Sequence, residues 1–357
     1  MKKILFLTPY PLNSAPSQRF RFEQYLPFLK MEGISHKVVS FLDEKTWEIF
    51  YKEGYTLKKV VGIIRGIINR HLILFSLHHY DMIFIHREAC LIGQAYFEWV
   101  YAKIFRKKII FDFDDAIWIK DVSAVNKSLS WLKFPNKTEK IISYSTTIIV
   151  GNNYLANYAL KFNKQVHIIP TTIDVNYHYP HKILKKNEKI RIGWTGTMTT
   201  NNHLKLLFPV FSELKKKYSN IEFVMISNAP IEGVQLEITY ITWDKAQEIK
   251  DLSSFDIGIM PLPDDEWAKG KCGFKGLQYM ALEIPTIMSP VGVNSEIIQD
   301  GENGFLAKNE QEWFDKLSLL IESKELRDKL GKEGRKTVIE RYSIESQKVS
   351  FLNLIQA

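Results

Sequence analysis

Only two cysteines stand in the chain, Cys90 and Cys272, far apart and in no C-x-x-C pair, so neither a disulfide framework nor a thiolate zinc site is suggested. A reducing, cytoplasmic setting follows most simply. The G-x-G-x-x-G dinucleotide fingerprint is absent. Long apolar runs are missing too, because Arg65, Asn69 and Arg70 interrupt the longest candidate for a membrane span. The opening MKKILFLTPYPL pairs a basic start with an apolar run. That run is shorter than a signal peptide's, and prolines and Asn13 follow where a cleavage site would lie. Met1–Pro9 therefore reads as a buried first strand, in a protein that is soluble or peripheral.

What is present fits two globular domains: 357 residues, 45% apolar and 25% charged. Lys and Arg number 48 against 40 Asp and Glu, a net charge of +8. Such a balance favours anionic partners, whether nucleotide phosphates, nucleic acid or acidic lipid headgroups. The lysines are scattered among α/β elements with no recognition motif, which argues against nucleic acid.

Taken in order, Lys3–Thr8 is an apolar run closed by Pro9 and Pro11, as for a parallel strand buried on both faces. A helix is expected over Gln18–Met31, with Phe20, Tyr25, Phe28 and Leu29 available to a core and Gly33 as its stop. Strand His36–Phe41 follows, and strand, helix, strand opens a doubly wound sheet. Strands at Met82–Ile85, Lys108–Phe113, Thr147–Val150 and His167–Ile169 continue it, with a helix over Asn152–Phe162. The prolines and lysines of Pro170–Lys189 mark a domain boundary. Beyond it the pattern restarts: strand Arg191–Trp194, loop Thr195–Thr200, helix His203–Tyr218, strand Glu222–Ile226, a helix near Lys245–Leu252 and strand Ile257–Met260. The result is two Rossmann-like halves in tandem.

Leu57–Phe75 stands apart. Val60, Ile64, Ile67, Ile68 and His71 recur at helical spacing, while Lys58, Lys59, Arg65 and Arg70 mark other faces. A basic amphipathic helix of this kind can lie on an anionic membrane surface; the competing reading packs it on its own sheet with solvated lysines.

Charged groups gather at the expected strand ends. His86, Arg87 and Glu88 follow Met82–Ile85, and Asp112, Asp114 and Asp115 close Lys108–Phe113, at the carboxyl edge where open α/β proteins place ligands. Carboxylates so close repel one another and need cations or caps. Two readings stand: a helix N-cap at Asp115, or a site that orients a hydroxyl substrate or binds metal. The metal version lacks a complementary His or carboxylate cluster nearby.

The densest signal is KGKCGFKGLQYMALEIPTIMSPVGVNSEIIQDGE, Lys269–Glu302. Gly270, Lys271, Gly273, Lys275 and Gly276 lead into a short helix, Leu277–Leu282. Unpaired N–H groups at a helix start, approached by glycines and lysines, can cradle a phosphate. Strand Thr286–Met288 and a turn over Pro290–Asn294, ending in Glu296, complete one possible pocket. Solvated lysines on an ordinary surface turn are the plain alternative.

The order of these motifs resembles the family 4 glycosyltransferases of the GT-B fold, over nearly the whole chain. HIIPTTIDVNYHYP resembles the interdomain signature IPNGVD, with Thr171 and Thr172 in place of Asn and Gly. IGWTGTM is similar to the loop opening the second domain, FDIGIMPL to the strand before the donor loop, and CGFKGLQYMALEIPTIMSPVGVNSEIIQDGENGFLA to the donor-binding core. RYSIESQKVSFLNLI is similar to the C-terminal helix that crosses back to the first domain. The resemblance implies two Rossmann-like domains facing each other across a cleft: 1–175 on the acceptor side, 176–340 on the donor side, and 341–357 as the returning helix.

It also implies a retaining, metal-independent transfer from a nucleotide diphosphate sugar to a glycan or lipid-linked acceptor, with no cofactor. The enzyme would serve polysaccharide or glycoconjugate assembly in the cytoplasm. Peripheral contact with the inner face of the membrane is expected from the basic amphipathic segment 57–75 itself, not from the resemblance. The donor would meet Thr195, Gly196, Thr197, Lys271, Gly273, Phe274, Lys275, Gln278, Asn294 and Glu296. Asp114, Asp115 and Lys275 would carry the chemistry, with Arg19, Arg21, His86 and Arg87 on the acceptor side. The family's acidic pair falls on Gly270 and Gln278, which leaves Gln278 for ribose hydroxyls and Asp265 or Glu266 as substitutes at the sugar. Thr197 stands where Arg is usual and Asn201 or Asn202 near the usual Lys. Phosphate charge then falls on Lys275 and Lys271, or on Arg19 and Arg21. The rival readings are a nucleotide-sugar epimerase or phosphorylase on the same architecture, and a non-catalytic sugar-nucleotide or glycan-binding module.

Overall fold

A computed structural model describes residues 2–119, 134, 136–181 and 189–357; the lysine-rich stretch 182–188 of the expected boundary lies outside the described residues. The chain divides into two compact units, Met1–Thr171 with Lys348–Ala357, and Thr172–Gln347.

In the first unit, β1 (Lys3–Thr8), β2 (Ser35–Ser40), β3 (Met82–His86), β4 (Lys108–Phe113), β5 (Thr147–Val150) and β6 (Val166–Ile168) form one parallel sheet ordered β2-β1-β3-β4-β5-β6. β1, β3 and β4 are apolar runs buried on both faces, as a helix-covered sheet requires. In the second unit, β7 (Ile190–Thr195), β8 (Ile221–Ser227), β9 (Ile238–Thr242), β10 (Ile257–Met260), β11 (Thr286–Met288) and β12 (Phe305–Leu306) are ordered β12-β11-β10-β7-β8-β9, again all parallel. One side of this sheet packs Trp194, Phe211, Phe223 and Leu317. The other packs Val224, Leu252, Phe255 and Tyr279.

Two expected helices are broken, each at a proline that removes a backbone donor. Gln18–Met31 becomes Pro16–Arg19, a 3-10 turn at Glu23–Tyr25, and Leu26–Met31 with Pro27 at its start. His203–Tyr218 becomes Asn201–Lys205 and Phe208–Lys217 with Pro209 at the second start.

The units part at Thr171 and Lys348, against expected breaks at 175 and 341, and the bonding around 172–178 explains the earlier division. Ile173 donates to the Tyr342 carbonyl at 2.8 Å. The Arg335 guanidinium donates to the His178 carbonyl at 2.9 Å and the Val175 carbonyl at 3.3 Å. In the first unit, Phe351 of the helix Ile344–Gln356 stacks on Tyr25 with centroids 4.3 Å apart, and Lys348 lies over Phe28.

Candidate functional site

In the second unit the strand order reverses between β7 and β10, the place where doubly wound sheets bind ligands at their carboxyl ends. The loop after β7 carries Thr195, Gly196 and Thr197. The turn after β10 leads through Glu266–Lys269 to Lys271 and the helix Phe274–Ala281. Gly273 caps that helix with φ +69°, and a Cβ there would fall 2.2 Å from Ile297 Cδ1, so the position requires glycine. Phe274 opens the helix, and Lys275 lies in its first turn with its ammonium 5.3 Å from the centroid of Trp194 on β7. Lys271 sits over Trp267 at 4.8 Å.

His203, on Asn201–Lys205, reports the field these lysines make. Burial, and then the charges of Lys275 and Lys271, push its imidazole down to about 4. Its Nδ1 is buried without a hydrogen-bond partner among the described residues. His203 is thus held neutral beside two ammonium groups, a field of one sign at this end of the sheet. The shift also has a thermodynamic sign. The folded value lies below that of the unfolded chain, so the unfolded state binds the extra proton between about pH 6.5 and 4. Stability from this group is complete above that window and is lost as pH falls through it. The His203→Gln variant is therefore expected to show a shallower fall in denaturation midpoint from pH 7 to 4.5, and an unchanged slope would refute the assignment.

The remaining donor-side candidates divide. Thr195 donates its N–H to the Tyr279 hydroxyl at 2.8 Å, and Thr197 forms a capping box with Thr200. Asn201 is tied to Ala229 and Ser227, so it does not replace the usual Lys. Asn294 is buried, its amide donating to the Ser289 carbonyl at 3.0 Å, and Glu296 on the same short helix is exposed. Asp265 caps Glu266–Lys269 by accepting from Ala268 N–H at 2.7 Å, and Glu266 pairs with Lys269 at 2.8 Å. Gln278 differs from expectation: it is 2% exposed, with Nε2 3.3 Å from His178 Nε2. Its position on the inner face of the helix turns the amide toward His178, away from an open ribose contact.

The first unit gathers a second cluster where β3 and β4 end. His86 and Asp112 are direct ladder partners, and His86 Nδ1 lies 2.7 Å from Asp112 Oδ2. Arg21 donates to Asp112 Oδ1 at 2.5 Å and also to the Ile169 carbonyl. Burial alone would raise the Asp112 carboxyl, but Arg21 and His86 outweigh it and hold the group below its ordinary range. Arg21 is thus a buried structural cation, which corrects its expected place among the phosphate or acceptor contacts. Arg19 is half-buried, its guanidinium 5.0 Å from the Phe20 ring centroid.

Arg87 takes the left-handed backbone at φ +60°, held by its N–H to the Asp112 carbonyl at 2.8 Å. Its guanidinium reaches Asp114 Oδ1 at 2.8 Å and Asp115 Oδ2 at 2.5 Å. Burial opposes its charge, yet the two aspartates and Tyr10 push Arg87 well above the usual arginine range. The N-cap reading of Asp115 fails, since 116–119 form no helix among the described residues. His86 Nε2 is fully buried and has no partner among the described residues. Among those residues, no group of three or more His, Cys, Asp and Glu could hold a metal ion.

Sequence reasoning assigned no role to His203 and left Asp112 undifferentiated from its neighbours. The ladder pairing of His86 with Asp112, which singles out the latter, exists only in the folded sheet.

Residues 189–323 match the family model described as glycosyl transferases group 1. The matched stretch lies within the second unit and holds all the second-unit candidates. Over 173 residues the sequence is 24% identical to the capsular polysaccharide biosynthesis glycosyltransferase CapM of Staphylococcus aureus, covering 46% of this chain and 44% of that protein. Among solved structures, a glycosyltransferase from Rickettsia africae aligns over 99% of this chain and 97% of its own, at 16% identity and a TM-score of 0.70. HepE of Anabaena, in complex with UDP and glucose, aligns over all of both chains at 12% identity and a TM-score of 0.68. At such identities the structural likeness establishes the fold, the two-domain GT-B architecture. Within that fold Lys275, Lys271 and His203 lie in the second unit, whose strand order reverses between β7 and β10.

Proposed function

We propose that the protein is a retaining glycosyltransferase that takes its sugar from a nucleoside diphosphate donor and passes it to a glycan or lipid-linked acceptor in polysaccharide assembly. The observation that carries this reading is the cluster of Lys275, Lys271 and neutral His203 at the β7/β10 reversal, inside the stretch that matches the group 1 family model. As the sugar–phosphate bond breaks, negative charge grows on the leaving diphosphate, and fixed cations and helix N–H groups must meet it. Lys275, with the amides of Gly273 and Phe274, supplies them without a metal. HepE's complex with UDP and glucose and CapM's capsular role support a nucleotide-sugar donor and a surface-glycan product. On the first unit, Asp114 and Asp115, oriented by Arg87, serve the acceptor hydroxyl or the positive charge developing at the sugar. The reaction takes place in the cytoplasm, at the inner face of the membrane.

A thermal-shift panel of UDP, GDP, ADP and their sugars, run with a chelator present, tests the donor assignment. One base is expected to stabilise the protein clearly, and indifference to every nucleotide would overturn the reading. NMR of the product anomer then tests retention. Gly270, where the resembling family carries an acid, favours one second reading: a non-catalytic sugar-nucleotide module, distinguished by nucleotide stabilisation with no transfer.

A further inference from the structure

The helix Thr56–Leu74 is packed the opposite way round from an ordinary surface helix. Its inward face is Lys59, Gly62, Ile63, Gly66 and Arg70. The two glycines allow close approach: a Cβ on Gly62 would lie 2.3 Å from the Thr46 side chain, and one on Gly66 would lie 2.6 Å from the Phe41 carbonyl oxygen. Arg70 is buried and donates to the carbonyls of Ala89 at 2.6 Å and Thr8 at 3.0 Å. Lys59 donates to the Lys52 carbonyl. With small and polar groups turned in, the bulky apolar ones face solvent. Leu57, Val61, Ile64, Ile68, Leu72 and Phe75 form one exposed stripe, from 46% exposure at Val61 to 80% at Phe75. This corrects the reading that packs the helix on its sheet with its lysines solvated, since Lys59 is buried.

The stripe continues onto the neighbouring segment. His71 lies against Tyr96 and Phe97, with ring centroids 6.0 and 4.9 Å apart, and Tyr96, Trp99, Ile104 and Phe105 are all exposed. The exposed charge of Thr56–Leu74 and of 96–106 has one sign. Lys58, Arg65, Lys103 and Arg106 are exposed, and Thr56–Leu74 contains no acidic residue. Glu98, the acid among 96–106, is fully buried and accepts from Ala89 N–H at 2.9 Å. Asp43, beside the helix, pairs with Arg65, which leaves Lys58, Lys103 and Arg106 as the cations available to lipid phosphates.

We propose that this face docks on an anionic bilayer, with the apolar stripe entering the headgroup boundary, Tyr96 and Trp99 at the interfacial level, and the cations meeting lipid phosphates. It deepens the inner-face placement above by naming the surface. Charge decides against a second copy of the chain, since an isologous contact would bring each cation toward its like. Along the helix axis the contact spans about 28 Å, at 1.5 Å per residue.

The test is co-sedimentation of the full chain with vesicles of phosphatidylglycerol and phosphatidylcholine in equal parts, and with phosphatidylcholine alone. Wild type is expected to bind the anionic vesicles at low salt and to be weakened by added salt. The exposed double variant Ile64→Ser, Ile68→Ser, with Trp99→Ser as a second probe, is expected to lose binding by about tenfold or more. Nucleotide-induced thermal shifts should not change, so failure of docking and failure of the donor reading are told apart. Absence of wild-type binding, equal binding by the variants, or a concentration-dependent dimer in light scattering that the variants dissolve would each overturn the proposal.

Discussion

Replacing Lys275 by alanine is expected to lower sugar transfer by about 10²–10³-fold, the usual cost of removing one group that meets charge developing in a transition state. The melting temperature should scarcely move. Lys275 is half-buried in the first turn of Phe274–Ala281, its ammonium over the face of Trp194 at 5.3 Å. A cation over an aromatic ring contributes about 0.5–2 kcal/mol between exposed and desolvated sites, small against a domain core. The loss should therefore be one of charge at a prepared position. Lys275→Arg keeps the charge but changes its shape, so it should recover only part of the activity. His203 supplies an independent readout of the same field: with Lys275 removed, one cause of its depressed basicity disappears and its titration should move up toward the ordinary imidazole range. A Lys275→Ala protein with ordinary transfer and an unmoved His203 would sink the phosphate assignment.

The sequence carried this half of the site because the relevant signal is local. Gly273, Phe274 and Lys275 are consecutive, and a left-handed glycine ahead of a helix forces the geometry whatever surrounds it. Strands buried on both faces were legible for the same reason, and β1, β4, β5, β10 and β11 begin and end where their apolar runs do. The edge strand β9 has only exposed and half-buried positions, so it lacks that run and does not stand out in the sequence. Orientation was the harder quantity. The period of 57–75 marks an apolar stripe, but periodicity alone does not say whether the stripe faces in. The decisive residues were Gly62 and Gly66, whose meaning depends on Thr46 and Phe41 being there to approach. Asp112, Asp114 and Asp115 posed the same problem: their mutual repulsion was readable, while the division of cations among them depends on Arg21 and Arg87 arriving from distant segments.

That division sets the largest stability effect. Asp112→Ala is expected to destabilise the first unit by about 3–5 kcal/mol, because it strands a buried guanidinium that has no route to solvent. Arg21 is 4% exposed and Asp112 2%, so neither charge can be rehydrated without opening the end of β4. The penalty belongs to the unpaired charge more than to the bond. A double variant, Arg21→Met with Asp112→Ala, should consequently cost less than the sum of the two single changes. The pH dependence has a definite sign. Asp112 is held below the ordinary carboxylate range, so it contributes stability above about pH 4 and loses it as pH falls through the folded value. Both alanine variants should therefore lack part of the wild type's acid destabilisation. Arg87, Asp114 and Asp115 form a separate ion cluster, more exposed than the first. Asp114→Asn should accordingly cost little stability and appear in turnover instead. Denaturant titration of the single and double variants at pH 7 and pH 4 separates these cases, and an Asp112→Ala protein as stable as wild type would show that the network holds nothing.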